Sequence, residues 1–339
     1  MNDKPKGESP KSATGATMAD VAALARVSRA VVSRAFSVDP RPISPEKRER
    51  VLKAAAQLGY QPNLLAQSLT TKRTNLVAVV VNHIHDLSDL DLFDCLLNAM
   101  QGLGKQVLFI RVNSVDRVEQ FLRNGVAHHV DAALVWSDFA DAATVRQMFR
   151  SDFAVMLNGR PDPLSPAVVP DSTIGIRAAV RDATEKGVKT AALVTGRESS
   201  PVEQARIQIY LHALSEHGVT LVQTVRAGDY TYQSGYQAGA SFLSDKVPDA
   251  VFCTSDASAM GVLDACRAHF PESRPTRFRL YGYDNLSLTD FAAYPISSVG
   301  YDQEEFVEHI ARFVAEPNSF TPGDPPVAVP TRFISRLTG

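Results

Sequence analysis

Residues 17–36 read TMADVAALARVSRAVVSRAF, and this stretch decides the fold of the N-terminal part of the chain. Thr17 stands three residues before Asp20, which is the spacing of a capping box at the start of a helix. Apolar side chains follow at the spacing of one helical face: Val21, Leu24 and Ala25. The pattern predicts a short helix that ends near Arg26.

A second helix is predicted directly after the first. Ser28 is an N-cap candidate that opens residues 29–36, where Val32 and Phe36 are available for a core. Two helices that meet across a turn of about two residues have the spacing of a helix-turn-helix.

A third helix has clear boundaries in the sequence. Ser44 is the N-cap candidate, Pro45 takes the first helical position, Glu46 lies in the first turn, and Gly59 marks the end. The predicted apolar face consists of Val51, Leu52, Ala55 and Leu58. Three such short helices can share one small core.

The second helix also carries side chains that the core does not need. They are Arg29, Ala30, Ser33 and Arg34, with Ser28 at the cap. A recognition helix presents such positions to base edges, where arginine suits guanine and a small alanine permits close approach. The alternative is that both arginines are ordinary solvated surface.

The charge of the chain is divided unevenly. The 339 residues carry a net charge of −2, but residues 1–75 hold 13 Lys and Arg against 6 Asp and Glu, and the remainder holds 22 against 31. A basic front attracts polyanions, whereas an acidic body does not wrap nucleic acid nonspecifically. Residues 1–16 have little to bury, so we expect a disordered tail there.

Composition and motifs exclude several classes of protein. No apolar run approaches the roughly 20 residues of a membrane crossing, and no secretory signal is visible, so we expect a cytoplasmic protein without a membrane partner. Three widely spaced cysteines argue against a disulfide framework. His83 with His85, and His128 with His129, lack a third ligand at a recognisable spacing, so no metal is expected.

Catalytic and cofactor motifs are also missing from the sequence. It has no nucleophile elbow, phosphate-binding loop or complete dinucleotide fingerprint, so we expect no catalytic residue and no cofactor. Spacing does not test for the carboxylate pairs of glycosidases, which are distant in sequence.

The front region contains a set of short motifs at fixed spacing: Asp20-Val21-Ala22, Val27-Ser28, Val32-Ser33-Arg34, Gly59-Tyr60, Pro62-Asn63, Ala66 and Leu69. This set resembles the LacI/GalR family of bacterial transcription regulators. Arg26 departs from the family, which usually has a turn glycine there. We therefore expect a strained positive φ or an altered turn at this residue.

Residues 63–71 read NLLAQSLTT, too few for an autonomous helix, since isolated helices below about 12 to 15 residues are marginal in water. In the family this segment becomes a hinge helix on operator DNA. The resemblance therefore implies DNA contacts for Asn63, Ala66, Leu69 and the following Lys72. It assigns Leu69 to a wedge in the minor groove, which an apolar side chain can perform. The alternative for Leu69 is interdomain packing.

From Leu76 onward, short β-rich runs alternate with segments of helical length. The predicted strands are 76–81, 107–112, 132–136, 154–157, 191–195, 250–253 and 278–281. The predicted helices are 115–124, 142–150, 174–186, 203–217 and 257–269. This alternation predicts α/β structure in two lobes, with parallel sheets and a ligand cleft beyond the carboxyl ends of the strands.

The family landmarks continue through this region, at Gly228-Asp229-Tyr230, Ser255-Asp256, Met260-Gly261, Gly282-Tyr283-Asp284 and Pro295-Ile296-Ser297-Ser298. The resemblance implies a periplasmic-binding-protein-like effector domain. We thus expect a disordered tail (1–16), a helix-turn-helix domain (17–62), a hinge helix and linker (63–74) and a two-lobed effector and dimerisation domain (75–339).

The resemblance also implies residues that contact the effector. They are Arg206, Tyr230, Ser255 and Asp284, to which we add Trp136, the single tryptophan, at the end of a predicted strand. A sugar offers hydroxyls to Asp and Arg and C–H faces to an aromatic ring. The alternatives are core packing for both aromatics, an Asx turn for Asp284 and a surface ion pair for Arg206.

The sequence therefore predicts a DNA-binding transcriptional regulator, a repressor, that acts as a homodimer on a pseudo-palindromic operator and responds to a carbohydrate-type effector. Two modules are needed because one covers too little groove for high specificity. The alternative, from another class, is a ligand-binding protein or sugar-processing enzyme whose N-terminal region is only a tether.

Overall fold

The computed structural model describes residues 16–36, 42–61, 74–82, 84, 87–112, 114–123, 130–136, 141–149, 151, 153–157, 162–243, 247–270 and 277–339. Contacts divide the chain into two compact units, Met1–Thr74 and Asn75–Gly339, here called the N-terminal unit and the C-terminal unit. None of the described helices is long and apolar enough to cross a membrane.

The described part of the N-terminal unit consists of helices α1 (Met18–Ala25), α2 (Arg29–Ala35) and α3 (Pro45–Leu58). The predicted capping box is present, because the Thr17 hydroxyl accepts from the Asp20 amide and the Asp20 carboxylate accepts from the Thr17 amide. Ser44 caps α3, and Gly59 ends it with a φ of 62°. Arg26 ends α1 with a φ of 52°, so of the two expected outcomes the positive φ is the one that the structure has.

The core of the N-terminal unit contains fewer of the large apolar side chains than the sequence predicts. Val21, Val32 and Val51 are fully buried at its centre, where alanines of all three helices surround them. The expectation for three leucines was wrong, since Leu24, Leu52 and Leu58 are 48%, 46% and 37% exposed. Alanine contacts let the short helices approach closely, and the bulkier leucines point outward.

The C-terminal unit contains two sheets. Its strands are β1 (Leu76–Val81), β2 (Gln106–Arg111), β3 (Ala132–Trp136), β4 (Ala154–Met156), β5 (Val168–Asp171), β6 (Thr190–Thr195), β7 (Thr220–Arg226), β8 (Ala250–Cys253), β9 (Arg279–Tyr283), β10 (Ser297–Tyr301) and β11 (Val327–Ile334). The first sheet has the order β2-β1-β3-β4, and the second has the order β5-β11-β10-β9-β8-β6-β7. Among the described strands, pairing is parallel except between β10 and β11.

Helices flank both sheets. They are α4 (Leu87–Gly102), α5 (Val115–Arg123), α6 (Ala142–Phe149), α7 (Thr173–Glu185), α8 (Pro201–Glu216), α9 (Tyr232–Gly239), α10 (Asp256–His269) and α11 (Gln303–Ala315). Nearly all of β1 is buried, as expected of a parallel strand between helix layers. The predicted α/β class with parallel sheets is thus confirmed.

Each sheet with its helices forms one lobe, and the chain passes between the lobes more than once. Helix α11 follows the second-sheet strand β10, yet its Phe306 and Ile310 pack in one cluster with Leu96 of α4 and Val79 of β1. The first lobe is therefore completed by residues near the C-terminus. Residues at the carboxyl ends of strands from both sheets, among them Trp136 and Tyr301, line one cavity.

Candidate functional site

One face of α2 forms the first candidate site. The predicted DNA-contact residues of this helix are all exposed: Ser28, Arg29, Ala30, Ser33 and Arg34. The opposite face buries Val32 and Ala35 in the core. Ser28 makes no side-chain capping bond. Exposed guanidinium and hydroxyl groups on one short helix can donate hydrogen bonds to phosphates and to guanine edges.

The remaining predicted DNA contacts concern the hinge segment. Asn63, Ala66, Leu69 and Lys72 lie outside the described residues, so their assignments remain predictions. The same holds for His83, His85, His128 and His129. Within the described residues, no group of three or more His, Cys, Asp or Glu side chains is arranged to hold a metal ion.

The second candidate site is a cavity in the C-terminal unit, with a volume of about 100 Å³. Both lobes contribute to its lining: Asn82, Ser88, Asp89, Trp136, Leu157, Pro170, Arg197, Ser200, Val202, Arg206, Tyr230, Asp284 and Tyr301. Four of the five predicted effector residues are brought together here, namely Trp136, Arg206, Tyr230 and Asp284. Trp136 and Asp284 lie at the ends of strands, Tyr230 lies in the loop after β7 and Arg206 lies on the helix after β6, which agrees with the rule for ligand clefts in parallel sheets.

Ser255 is not among the residues that line this cavity. Its side chain is buried and caps α10, because its hydroxyl accepts from the Ser258 amide at 3.2 Å and contacts the Ser258 hydroxyl at 3.0 Å. A serine is short enough to bond back to its own helix. The structure therefore gives Ser255 a capping role and does not bring it to the other four residues.

Arg206 lies on α8 and forms part of the cavity wall. Its guanidinium stacks over the Tyr283 ring, with Cζ 3.6 Å from the ring centroid, and its Nη1 donates to the Thr254 carbonyl at 2.6 Å. Desolvation acts to lower the pKa of Arg206, but the charges of Tyr283, Glu203 and Asp284 outweigh it and raise the pKa. Within the described residues its buried Nε has no hydrogen-bond partner.

Tyr230 packs against the backbone of the loop after β6. A Cβ placed on Gly196 would lie 2.0 Å from Tyr230 Cε1, so the ring requires glycine at this position. The Arg197 guanidinium covers the ring at 4.8 Å, and burial raises the pKa of the Tyr230 hydroxyl. Tyr230 thus lies between a backbone and an arginine at the cavity wall, away from the apolar clusters.

Trp136 has both packing and cavity-lining contacts. The indole meets Phe306 edge to face, with ring centroids 6.1 Å apart, and it packs at the edge of the first-lobe core. It also lines the cavity. Trp136 can therefore pack against the core and contact a ligand in the cavity at the same time.

Asp284 is held in the cavity by a strained loop after β9. Asp284 and Asn285 have φ angles of 111° and 51°. The buried Asp256 carboxylate accepts from the Leu286 amide at 2.9 Å and from the Ser298 hydroxyl at 2.7 Å, which anchors the loop. Desolvation raises the pKa of Asp256 to about 7, although these hydrogen bonds oppose the shift.

Sequence reasoning missed several cavity residues. Asn82 follows β1 directly, Arg197 lies two residues after the end of β6, and Tyr301 ends β10. The sequence could have predicted Asn82 and Arg197, because they follow predicted strands and the carboxyl ends of parallel strands meet at one edge of a sheet. Asp89 and Val202 lie on helices, and no sequence spacing marks them.

Comparison with known proteins gives two family matches and relatives that match along most of the chain. Residues 17–63 match the model of bacterial regulatory proteins of the lacI family, and residues 180–338 match the periplasmic binding protein-like domain. The HTH-type transcriptional regulator CelR of Thermobifida fusca is 30% identical over 321 residues, covering 88% of this chain and 91% of that protein.

Two further comparisons agree with these matches. The HTH-type transcriptional repressor CytR of Escherichia coli (strain K12) is 29% identical over 300 residues, covering 87% of each chain. The solved structure of a transcriptional regulator CelR–cellobiose complex is 27% identical, with a TM-score of 0.68 over 96% of this chain and 100% of that chain.

Proposed function

This chain belongs to the LacI family of bacterial regulatory proteins, and from this membership we propose that it is a transcriptional repressor that binds operator DNA as a homodimer and responds to a carbohydrate-type effector. The observation that carries the proposal is the presence, in one chain, of an exposed cationic helix face and a polar, aromatic-lined cavity. The regulator class is shared by the relatives CelR and CytR.

The exposed face of α2 supports the DNA-binding role. Arg29 and Arg34 project from a short helix whose other face is buried, the arrangement by which a recognition helix enters the major groove. Ala30 leaves room for close approach to a base pair. We assign Leu69, Asn63, Ala66 and Lys72 to a hinge segment that contacts the centre of the operator.

A homodimer is the assembly that this geometry favours. A single three-helix unit reads too few base pairs for high specificity, whereas two related by a twofold axis read both halves of a pseudo-palindrome. Tyr232 and Tyr236, one turn apart on α9, are more than a third exposed, which offers an apolar surface for a second copy.

The chemistry of the cavity supports a carbohydrate-type effector. Asp284 and Arg206 can bond to hydroxyl groups, and Tyr230 and Trp136 offer ring surfaces for C–H faces. The relative solved with cellobiose shows that a family member binds a carbohydrate.

The direct test is selection of genomic fragments by the purified full-length protein, followed by competition against random DNA. We expect enrichment of pseudo-palindromic sites, and Leu69→Ala should lower affinity for them. If no sequence competes better than random DNA, the operator proposal fails and the tether alternative replaces it. Trp136 fluorescence during titration with sugars tests the effector separately, and the enriched operators indicate which sugars to include.

A further inference from the structure

Behind Arg206, a second charged group is completely buried. Glu203 lies one turn earlier on α8 with no solvent exposure. Its Oε1 accepts from the Gly196 amide and from the Thr254 hydroxyl, each at 2.6 Å. Its Oε2 lies 3.7 Å from Arg206 Nη1 and, within the described residues, has no hydrogen-bond partner. Arg206 is therefore a cation that lies close to this buried carboxylate.

This carboxylate balances the charge of Arg206 on the side away from the cavity. Taking an isolated guanidinium out of water is costly, and a nearby opposite charge offsets that cost. In many arginine sites the counter-charge comes from an anionic ligand. Here the protein supplies it from within, so Arg206 can donate hydrogen bonds without requiring a negative ligand.

The other charges of the cavity act in the same direction. Two acidic residues, Asp89 and Asp284, are among the residues that line it. Arg197, the second lining arginine, has its Nε 3.7 Å from Asp229 Oδ1. Within the described residues, the Asp229 carboxylate thus lies beside the second arginine as the Glu203 carboxylate lies beside the first.

We propose that Glu203 is a specificity-determining residue that makes this cavity reject anionic ligands and accept uncharged ones. The inference rests on the proposed function of the cavity as the effector site and deepens it. A sugar with free hydroxyls would enter, whereas its phosphorylated form would meet an arginine that is already neutralised. Glu203 also bonds to Gly196, on which Tyr230 packs, so the same side chain fixes two cavity-wall residues.

Quenching of Trp136 fluorescence tests the proposal without knowledge of the effector. Trp136 lines the cavity and is the single tryptophan of the chain, so its quenching reports which solutes enter. Iodide is the anionic probe and acrylamide the uncharged one, used with the full-length protein at a constant ionic strength of about 0.1 M. The measured quantity is the ratio of the iodide to the acrylamide quenching constant.

Glu203→Gln should raise this ratio about twofold or more, because an uncompensated guanidinium concentrates anions locally. Glu216→Gln is the matched control, since it removes the same charge from the same helix at a residue paired with Arg177 on the surface. A change in loop packing alone would move both quenching constants together and leave the ratio unchanged.

A second variant keeps the test decisive if Glu203→Gln folds poorly. Arg206→Gln leaves the buried carboxylate uncompensated and should lower the ratio below that of the wild type, and the double variant should restore it. An unchanged ratio in both single variants, with folding verified by circular dichroism, overturns the proposal. Because no effector is added, this failure is distinct from failure of the sugar titrations that test the proposed function.

Discussion

Arg26 carries a left-handed backbone at the end of α1, with a φ of 52° and a ψ of 50°. The left-handed conformation costs a residue with a Cβ roughly 1–2 kcal/mol. Glycine is the usual residue at such helix ends. The turn of the helix-turn-helix therefore keeps its shape at an energetic cost. The strain is local to one residue.

Arg26→Gly should raise the unfolding free energy of the N-terminal unit by up to about 1 kcal/mol, because it relieves the strain but adds freedom to the unfolded chain. Urea denaturation followed by circular dichroism measures this. Arg34→Gly is the control, since Arg34 lies inside α2 and glycine there should cost about 1 kcal/mol. Equal changes of the unfolding free energy in the two variants would contradict the claim that the backbone is strained at Arg26.

Asp256 should make stability depend on pH. Its pKa is raised from 3.8 to about 7 by desolvation, so between these values the folded protein holds a proton that the unfolded chain has lost. The resulting contribution is fully present below pH 3.8 and is lost as pH rises through about 7. Unfolding free energies of the wild type, measured between pH 5 and 7, should therefore fall with a slope of up to about 1.4 kcal/mol per pH unit.

Asp256→Asn should remove this slope and also lower stability overall, because the amide nitrogen of asparagine cannot accept hydrogen bonds as both carboxylate oxygens do. Asp249→Asn serves as the control. Backbone hydrogen bonds from Lys189 and Thr190 lower the pKa of Asp249. Protonation of Asp249 therefore changes stability only in more acidic solution than the measured range of pH 5 to 7. A slope that persists in Asp256→Asn would show that another group titrates.

At the scale of elements, α9 and α10 pack with their backbones nearly in contact. A Cβ on Gly261 would lie 2.2 Å from the Tyr232 carbonyl oxygen, and one on Gly235 would lie 2.2 Å from the Ser258 carbonyl oxygen. Both obstacles are backbone atoms, which cannot rotate away. Glycine on each helix is therefore what allows this crossing.

Gly261→Ala should lower the unfolding free energy by about 1–3 kcal/mol or more, as overpacking of a close contact does. The control is Gly102→Ala at the end of α4, where a Cβ would meet no atom within 4 Å. That variant should be neutral or slightly stabilising, since alanine favours helix. Thermal unfolding of both variants checks the difference, and equal melting temperatures would refute the close-packing explanation.

At the scale of the whole molecule, charge is segregated along the chain. A polyanion attracts the basic residues 1–75. It repels the remainder of the chain, which has nine more acidic than basic residues. We therefore expect DNA binding at one end of the chain. Regulation by a ligand in the C-terminal unit can then act at a distance, with a coupling of about 1–3 kcal/mol in typical systems.

Operator affinity should fall about 10³-fold or more between roughly 50 and 200 mM salt if six or more phosphates are neutralised by the dimer. Arg29→Ala should reduce discrimination against mismatched bases by about 1–3 kcal/mol. Arg181→Ala, on the exposed face of α7, should change neither quantity. Fluorescence anisotropy with selected and mutated operators measures both, and a salt-independent affinity would contradict electrostatic binding.

The local order of the chain follows from its sequence. The capping box at Thr17, the cap at Ser44 and the buried strands such as 76–81 depend on neighbours a few residues away. Caps and periodicity therefore predict them. Elements with weaker local patterns were missed, among them the largely exposed β7 and the glycine-rich α9.

The tertiary structure alone decided which residues meet. Helix α11 packs on the first sheet, and Leu24, Leu52 and Leu58 point outward. Ser255 caps a helix, and Glu203 is buried next to Arg206. These outcomes depend on packing between segments distant in sequence or on competition between a side chain's own helix and the cavity. No local pattern records such contacts, because their free energy exists only once the chain has folded.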